Sequence, residues 1–184
     1  MRVLAGTLKG QRLTTPRGAV TRPTTDRIRI ACLDTLTPFL ANGPFLDLFA
    51  GAGSVGIEAL SRGAPAAVFV ERSAPALGAL RENLARLGVD DRSRVLRQDA
   101  ALALDTLAGR DERFAVVFLD PPYDSPRAAV VLAALARGDV LAPGAVVAVQ
   151  HASKAPPPTP TGVLHVWKAR KFGETTLTFF RTAV

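Results

Sequence analysis

From residue 44 onward, the hydrophobic and polar positions of this 184-residue chain alternate between short apolar runs and longer amphipathic stretches. That pattern predicts βαβ units and a parallel sheet. Residues 45–49 read as a first strand that enters Ala50-Gly51-Ala52-Gly53-Ser54-Val55-Gly56, and a helix follows to Ser61-Arg62 with Gly63 at its end. A second strand over 66–70 ends at Glu71, and Ser73 caps a helix with apolar residues at 77, 80, 84 and 87 that stops at Gly88. A third strand over 94–98 ends at Asp99, before a short Ala/Leu-rich helix. A fourth over 114–119 ends at Asp120. A helix from about 126 to 137 leads to a fifth strand over 145–149. After an extended Pro-rich loop at 156–160, residues 163–169 and 175–180 flank Phe172-Gly173-Glu174 and predict an antiparallel hairpin.

The first 43 residues have a different rhythm. Two short apolar pieces around Gly6 and Gly10 predict a small hairpin, followed by a loop with Pro16, Gly18 and Pro23. A helix over 24–36 is expected next, with Thr24 or Thr25 as its N-cap and apolar positions 28, 32, 33 and 36 on one face; Pro38 and Pro44 close it. With 48% hydrophobic residues the chain can build one sizeable core. The expected organisation is a main domain over 44–184 with a basic extension, 1–43, packed on it.

No apolar run is long enough to span a bilayer and no signal peptide precedes the first strand, so a cytoplasmic protein without a membrane partner is expected. Cys32, the single cysteine, reads as a core residue. His151 and His165 stand outside any ligand-spaced cluster, so no metal is expected. The net charge of +7 is unevenly placed: residues 1–30 carry seven bases against Asp26, residues 164–184 carry four against Glu174, and the centre is slightly acidic. Two basic ends around an acidic centre match a nucleic-acid partner, although an Arg-rich solubilising surface gives the same excess.

The strand ends carry the chemistry. Parallel α/β sheets bind ligands at the carboxyl ends of their strands, so Asp47, the glycine loop, Glu71, Asp99 and Asp120 should face one crevice. Gly51-Ala52-Gly53-Ser54-Val55-Gly56 is a Gly-x-Gly-x-x-Gly match, and Glu71 at the end of the second strand can accept hydrogen bonds from both ribose hydroxyls of a nucleoside. NAD fits this half of the pattern. Strand four breaks the tie, because Asp120-Pro121-Pro122-Tyr123 suits a planar amine. The prolines fix the backbone, the Asp120 carboxylate and Pro121 carbonyl can each accept one amine hydrogen, and the Tyr123 ring can stack on a base drawn out of its helix.

With those residues in place, the chain resembles class I S-adenosylmethionine-dependent methyltransferases acting on exocyclic amines. More narrowly it resembles the RsmD family, bacterial 16S ribosomal RNA guanine-N2 methyltransferases. The narrower likeness rests on residues 1–13, on Arg22-Pro23-Thr24-Thr25-Asp26-Arg27-Ile28-Arg29 and on Arg170-Lys171-Phe172-Gly173-Glu174-Thr175. It departs at Ala52, where Ser or Thr is expected between the glycines, and at Ile30, where Glu is usual.

The resemblance implies a Rossmann-like α/β fold with a seven-stranded, mostly parallel sheet and S-adenosylmethionine as cofactor. It places the methionine part at Asp47 and the Gly51 to Gly53 loop, the ribose at Glu71 and the adenine amine at Asp99, with Phe49, Arg72 and Ala100 also lining the cofactor. The catalytic positions it implies are Asp120, Pro121, Pro122 and Tyr123. The partner it implies is 16S rRNA or the small ribosomal subunit, approached by a monomer through Arg2, Lys9, Arg12, Arg17, Arg22, Arg27 and Arg29. An adenine-N6 methyltransferase would use the same amine motif, and a non-catalytic RNA-binding protein of this fold is the reading from a different class.

Overall fold

The computed structural model describes residues 1–16, 26–122, 127–155 and 162–183. Strands β1 (Phe45–Leu48), β2 (Ala67–Val70), β3 (Ser93–Leu96), β4 (Phe114–Leu119) and β5 (Leu141–Ala152) run parallel, and β6 (His165–Phe172) and β7 (Thr175–Arg181) extend the sheet antiparallel in the order β3-β2-β1-β4-β5-β7-β6. Every residue of β1, β2 and β4 is buried. Strands covered on both faces have no polar side to alternate with, which is why they read as unbroken apolar runs.

Alternate residues feed two cores. Phe45, Phe69, Val116, Phe118 and Phe179 pack beneath α1 (Asp26–Leu40), α2 (Ser54–Ser61) and α3 (Ala74–Leu87). Leu46, Leu48, Val117, Leu119 and Phe180 pack beneath α4 (Ala100–Ala108) and α5 (Arg127–Leu135). The chain leaves β1 toward one edge of the sheet and β4 toward the other, so the β1–β4 gap is the point where strand order reverses.

Several boundaries differ from those the sequence predicts. Helix α1 continues through Pro38 to Leu40, because Leu36 and Leu40 are buried while Pro38 lies on the solvent side, where a lost backbone donor is tolerated. Strand β5 begins at Leu141. Pro143-Gly144 makes an irregularity in its pairing with β4 and does not end the strand. The N-terminal hairpin is reduced to one antiparallel bridge, Arg2 to Arg12, closed by the Val3 N–H on the Gln11 carbonyl and the Gly10 N–H on the Val3 carbonyl, both 2.9 Å. Ser73 occupies the N-cap of α3, but its side chain makes no capping bond. The Thr24 or Thr25 cap and the 156–160 loop lie outside the described residues.

The first sixteen residues are strapped to the helices by side chains that meet backbone. Glu58, fully buried on α2, accepts the Leu4 and Ala5 N–H groups at 2.8 Å each. The Ser61 hydroxyl donates to the Ala5 carbonyl at 2.6 Å and accepts the Leu8 N–H at 2.9 Å. At this contact the backbones approach so closely that a Cβ on Gly6, whose φ is +79°, would lie 1.9 Å from the Ser61 carbonyl oxygen.

Candidate functional site

The crevice opens where strand order reverses, the position at which doubly wound sheets bind ligands. Asp47 pairs across the sheet with Phe69 of β2 and Phe118 of β4. Glu71 and Asp120 therefore stand two residues further along the neighbouring strands, just past their ends, and the three carboxyl groups converge. Asp99 follows β3 and caps α4, its Oδ1 accepting the Ala101 N–H at 3.1 Å.

Backbone donors fix these acids. Asp47, only 2% exposed, accepts the Gly56 N–H on Oδ2 at 2.9 Å. A Cβ on Gly56 would come within 2.3 Å of the Phe69 ring and 3.1 Å of that same oxygen, so glycine is needed for the helix to approach the strand. Glu71 accepts the Gly51 N–H on Oε2 at 2.9 Å and the Arg72 and Ser73 N–H groups on Oε1 at 2.8 Å each. One carboxylate thus ties the glycine loop to the start of α3 and keeps one lone-pair direction on Oε2 for a ligand hydroxyl. Phe49, half-buried beside the loop, has a left-handed φ of 65°, a conformation uncommon for a non-glycine residue and concentrated at functional sites.

Electrostatics set the character of the crevice. Burial pushes the Asp47 carboxyl up to about 7, against the Gly56 N–H that holds it down, and the negative charges of Asp120 and Glu71 push it further up. Burial also raises the Cys32 thiol, with Asp120 and Asp47 adding to the effect; the cysteine is a buried core residue of α1 beneath the crevice. A desolvated Asp47 beside the partly exposed Asp120 and Glu71 favours a ligand that brings positive charge.

Of the other cofactor positions expected from sequence, Arg72 is exposed and Ala100 is buried as the first residue of α4. Pro121 is buried and Pro122 exposed, whereas Tyr123 lies outside the described residues. Of the basic positions, Arg2, Lys9, Arg12 and Arg27 are exposed, and Arg17 and Arg22 lie outside the described residues.

Arg29 is a correction. It is 1% exposed, donates to the Arg2 carbonyl at 2.6 Å and pairs with Asp26 at 3.1 Å, so its guanidinium holds the N-terminal segment against α1 and cannot reach a phosphate.

Sequence reasoning missed Asn83. Fully buried on α3, it accepts the Thr14 N–H at 2.7 Å and donates through Nδ2 to the carbonyls of Thr14 at 2.9 Å and Ala52 at 3.0 Å. It therefore joins the N-terminal segment to the glycine loop. The signal was present, since Asn83 sits next to Leu84 on the helical face defined by Leu77 and Leu80, where an unpartnered amide would be costly.

The chain is similar to known proteins over nearly its whole length. The family model described as Conserved hypothetical protein 95 matches residues 1–181. A putative rRNA methyltransferase of Bacillus subtilis, YlbH, is 34% identical over 181 residues, covering 98% of each chain. Ribosomal RNA small subunit methyltransferase D of Haemophilus influenzae is 31% identical over 160 residues, 87% of this chain and 83% of its own. Among solved structures, a putative methyltransferase of Escherichia coli, yhhF, superposes with a TM-score of 0.87 at 29% identity, covering 100% of this chain and 98% of its own.

Proposed function

The chain belongs to the Conserved hypothetical protein 95 family, the RsmD family, and has its class I methyltransferase fold; from that premise we propose that it methylates the exocyclic N2 amine of a guanine in the 16S RNA of the small ribosomal subunit, with S-adenosylmethionine as donor. The observation that carries the reading is the convergence of Asp47, Glu71 and Asp120 around the glycine loop at the point of strand reversal. A cofactor with an ammonium and a sulfonium suits a crevice in which the Asp120 and Glu71 carboxylates hold back the charge of the buried Asp47. When bound, S-adenosylmethionine supplies an activated methyl group.

Each residue then has a chemical task. Asp47 and the Gly51 to Gly53 loop hold the methionine part, Glu71 accepts from a ribose hydroxyl and Asp99 from the adenine amine; Phe49, Arg72 and Ala100 line the same cofactor. Asp120 and the Pro121 carbonyl accept the two hydrogens of the guanine amine. That turns the nitrogen lone pair out of conjugation with the ring and aims it at the donor, and Asp120 accepts the surplus proton. Tyr123 stacks on the base. Most of the acceleration in this scheme is orientation and fixed electrostatics, which supply about 7–11 kcal/mol when reacting groups are held near attack geometry.

The deciding experiment offers labelled S-adenosylmethionine with naked 16S RNA, small-subunit particles, DNA and guanosine, followed by digestion to nucleosides. Label in N2-methylguanosine from RNA or particles is the expected result. Label on adenine N6 would replace guanine as the target, and absence of label from every substrate would leave an RNA-binding protein without catalysis.

A further inference from the structure

The edge of the sheet furthest from β3 has an exposed, basic surface. All of β6 but Phe172 is exposed, and the hairpin it forms with β7 carries His165, Lys168, Arg170, Lys171 and Arg181 against a single acid, Glu174. None of Arg27, Lys168, Arg170, Lys171 and Arg181 pairs with a carboxylate among the described residues. The acids of α1 that could neutralise them are occupied, Asp26 with Arg29 and Asp34 with Arg62.

A bulge brings Lys168 and Arg170 onto the face that carries Arg181, while Lys171, opposite Thr176, lies on the other face. Val166 pairs with Phe180 and Lys168 with Phe179, leaving Trp167 as the extra residue. Such an insertion changes which way the following side chains point. Because cross-strand partners share a face, Lys168 opposite Phe179, Arg170 opposite Leu177 and Phe172 opposite Thr175 all lie on the α1 side of the sheet.

Aromatic rings then hold the cations in place. The Arg181 guanidinium lies 5.1 Å from the Phe39 ring centre and 5.3 Å from that of Trp167, which is itself 42% exposed. The Lys168 ammonium is 6.0 Å from Trp167, and Arg170 and Arg27 lie 5.7 and 6.0 Å from Phe172. Held this way, a long side chain keeps its charge and its N–H donors while losing less freedom on binding an anion.

We infer that this α1–β6 face is a phosphate-binding track for the backbone of the substrate RNA. The proposal rests on the methyltransferase reading above. The track begins on the rim of the crevice, because Thr175 of β7 lies opposite Ala152 of β5, and Val149 of β5 lies beside Leu119, the residue before Asp120. It runs down β7 to Arg181, about 20 Å away at about 3.4 Å per residue. Ring-held cations spaced over that length suit a polyphosphate strand and contact no base edge, so the face fixes the position of RNA without reading its sequence. The competing explanation is that Lys and Arg on β6 only prevent edge-to-edge pairing of sheets.

The test measures binding of 16S RNA fragments and of small-subunit particles to the full chain across salt concentrations, for the unchanged protein, for Lys168→Gln/Arg170→Gln, and for Arg110→Gln/Arg113→Gln, which removes the same charge from exposed positions on another surface. The track predicts that the first pair weakens RNA binding about tenfold or more near 0.1 M salt and lowers the slope of log K against log salt by about two, while the second changes the slope little. Binding of S-adenosylmethionine and the thermal midpoint, read on the same samples, stay unchanged and exclude misfolding.

An unchanged slope in the first pair, in a protein that still methylates RNA, overturns the track and leaves the enzymatic reading intact; increased self-association would then assign the charges to edge protection. Loss of binding to assembled particles with unchanged binding to RNA gives the face to a ribosomal protein and also overturns it. Failure of the unchanged protein to bind either RNA or assembled particles sinks both readings.

Discussion

One sheet carries two charged regions that obey opposite rules. At the end of β1, Asp47 is buried among other acids and its charge is held back; along β6, Lys168, Arg170 and Lys171 stand in water with no carboxylate partner among the described residues. In the crevice a single proton or a single cation changes the energetics, because desolvation amplifies each charge. On the edge each charge is worth little to folding and acts only when a polyanion gathers several together. The difference teaches where to look for function in each region. The crevice should respond to pH, the edge to salt.

The largest expected effect is in the crevice. Asp120→Ala should retain binding of S-adenosylmethionine and lose about a thousandfold in methyl transfer, since it removes an acceptor that orients the amine. Near-normal single-turnover rates would remove Asp120 from the amine site.

Next is Arg29, a basic residue that behaves as part of the interior. Arg29→Met should lower stability by about 2 kcal/mol through loss of the bond to the Arg2 carbonyl, measured by urea unfolding. The same variant should leave the salt slope of RNA binding nearly unchanged, and a drop of a full unit would return Arg29 to the phosphate contacts.

The pH response of cofactor affinity is smaller. The Asp47 carboxyl ionises near 7 in the folded chain and near about 4 when unfolded, so between those values the folded state holds the extra proton. Stability of the ligand-free protein should therefore fall as pH rises from about 4 through about 7, and Asp47→Asn should remove that slope. Affinity for a cationic cofactor should move the other way, rising about tenfold between pH 6 and pH 8 as Asp47 becomes charged. Titration calorimetry at several pH values checks both the affinity and the proton released.

The smallest effect should come from an ordinary exposed pair. Arg113 and Asp111 meet at 3.1 Å with both side chains largely in water, and Asp111→Asn, which suits the left-handed backbone at φ 54°, should change stability by less than about 0.5 kcal/mol. A larger loss in thermal unfolding would blur the contrast between exposed and desolvated charge.

Much of the site was legible because it is built from short segments with a fixed relation to one strand. A glycine loop just after β1, Glu71 and Asp120 directly after their strands, and Asp99 between β3 and α4 need only the rule that parallel strands end at a common edge. The boundaries that were misread, Pro38 in α1 and Pro143-Gly144 in β5, are places where burial of neighbouring residues outweighed a local breaker. Local pattern could mark Asn83 as buried but could not supply the partners of Asn83 and Glu58, which lie 69 and 54 positions away in Thr14 and Leu4.

Sequence alone determined the alternation of strands and helices, the acids at the strand ends and the excess of base at both termini, because each is a property of consecutive residues. Only the tertiary structure decided what each charge does. Whether an arginine faces water or a backbone carbonyl depends on which segment folds over it, and so Arg29 became an internal strut while Arg181, held between Phe39 and Trp167, became the far end of a surface track.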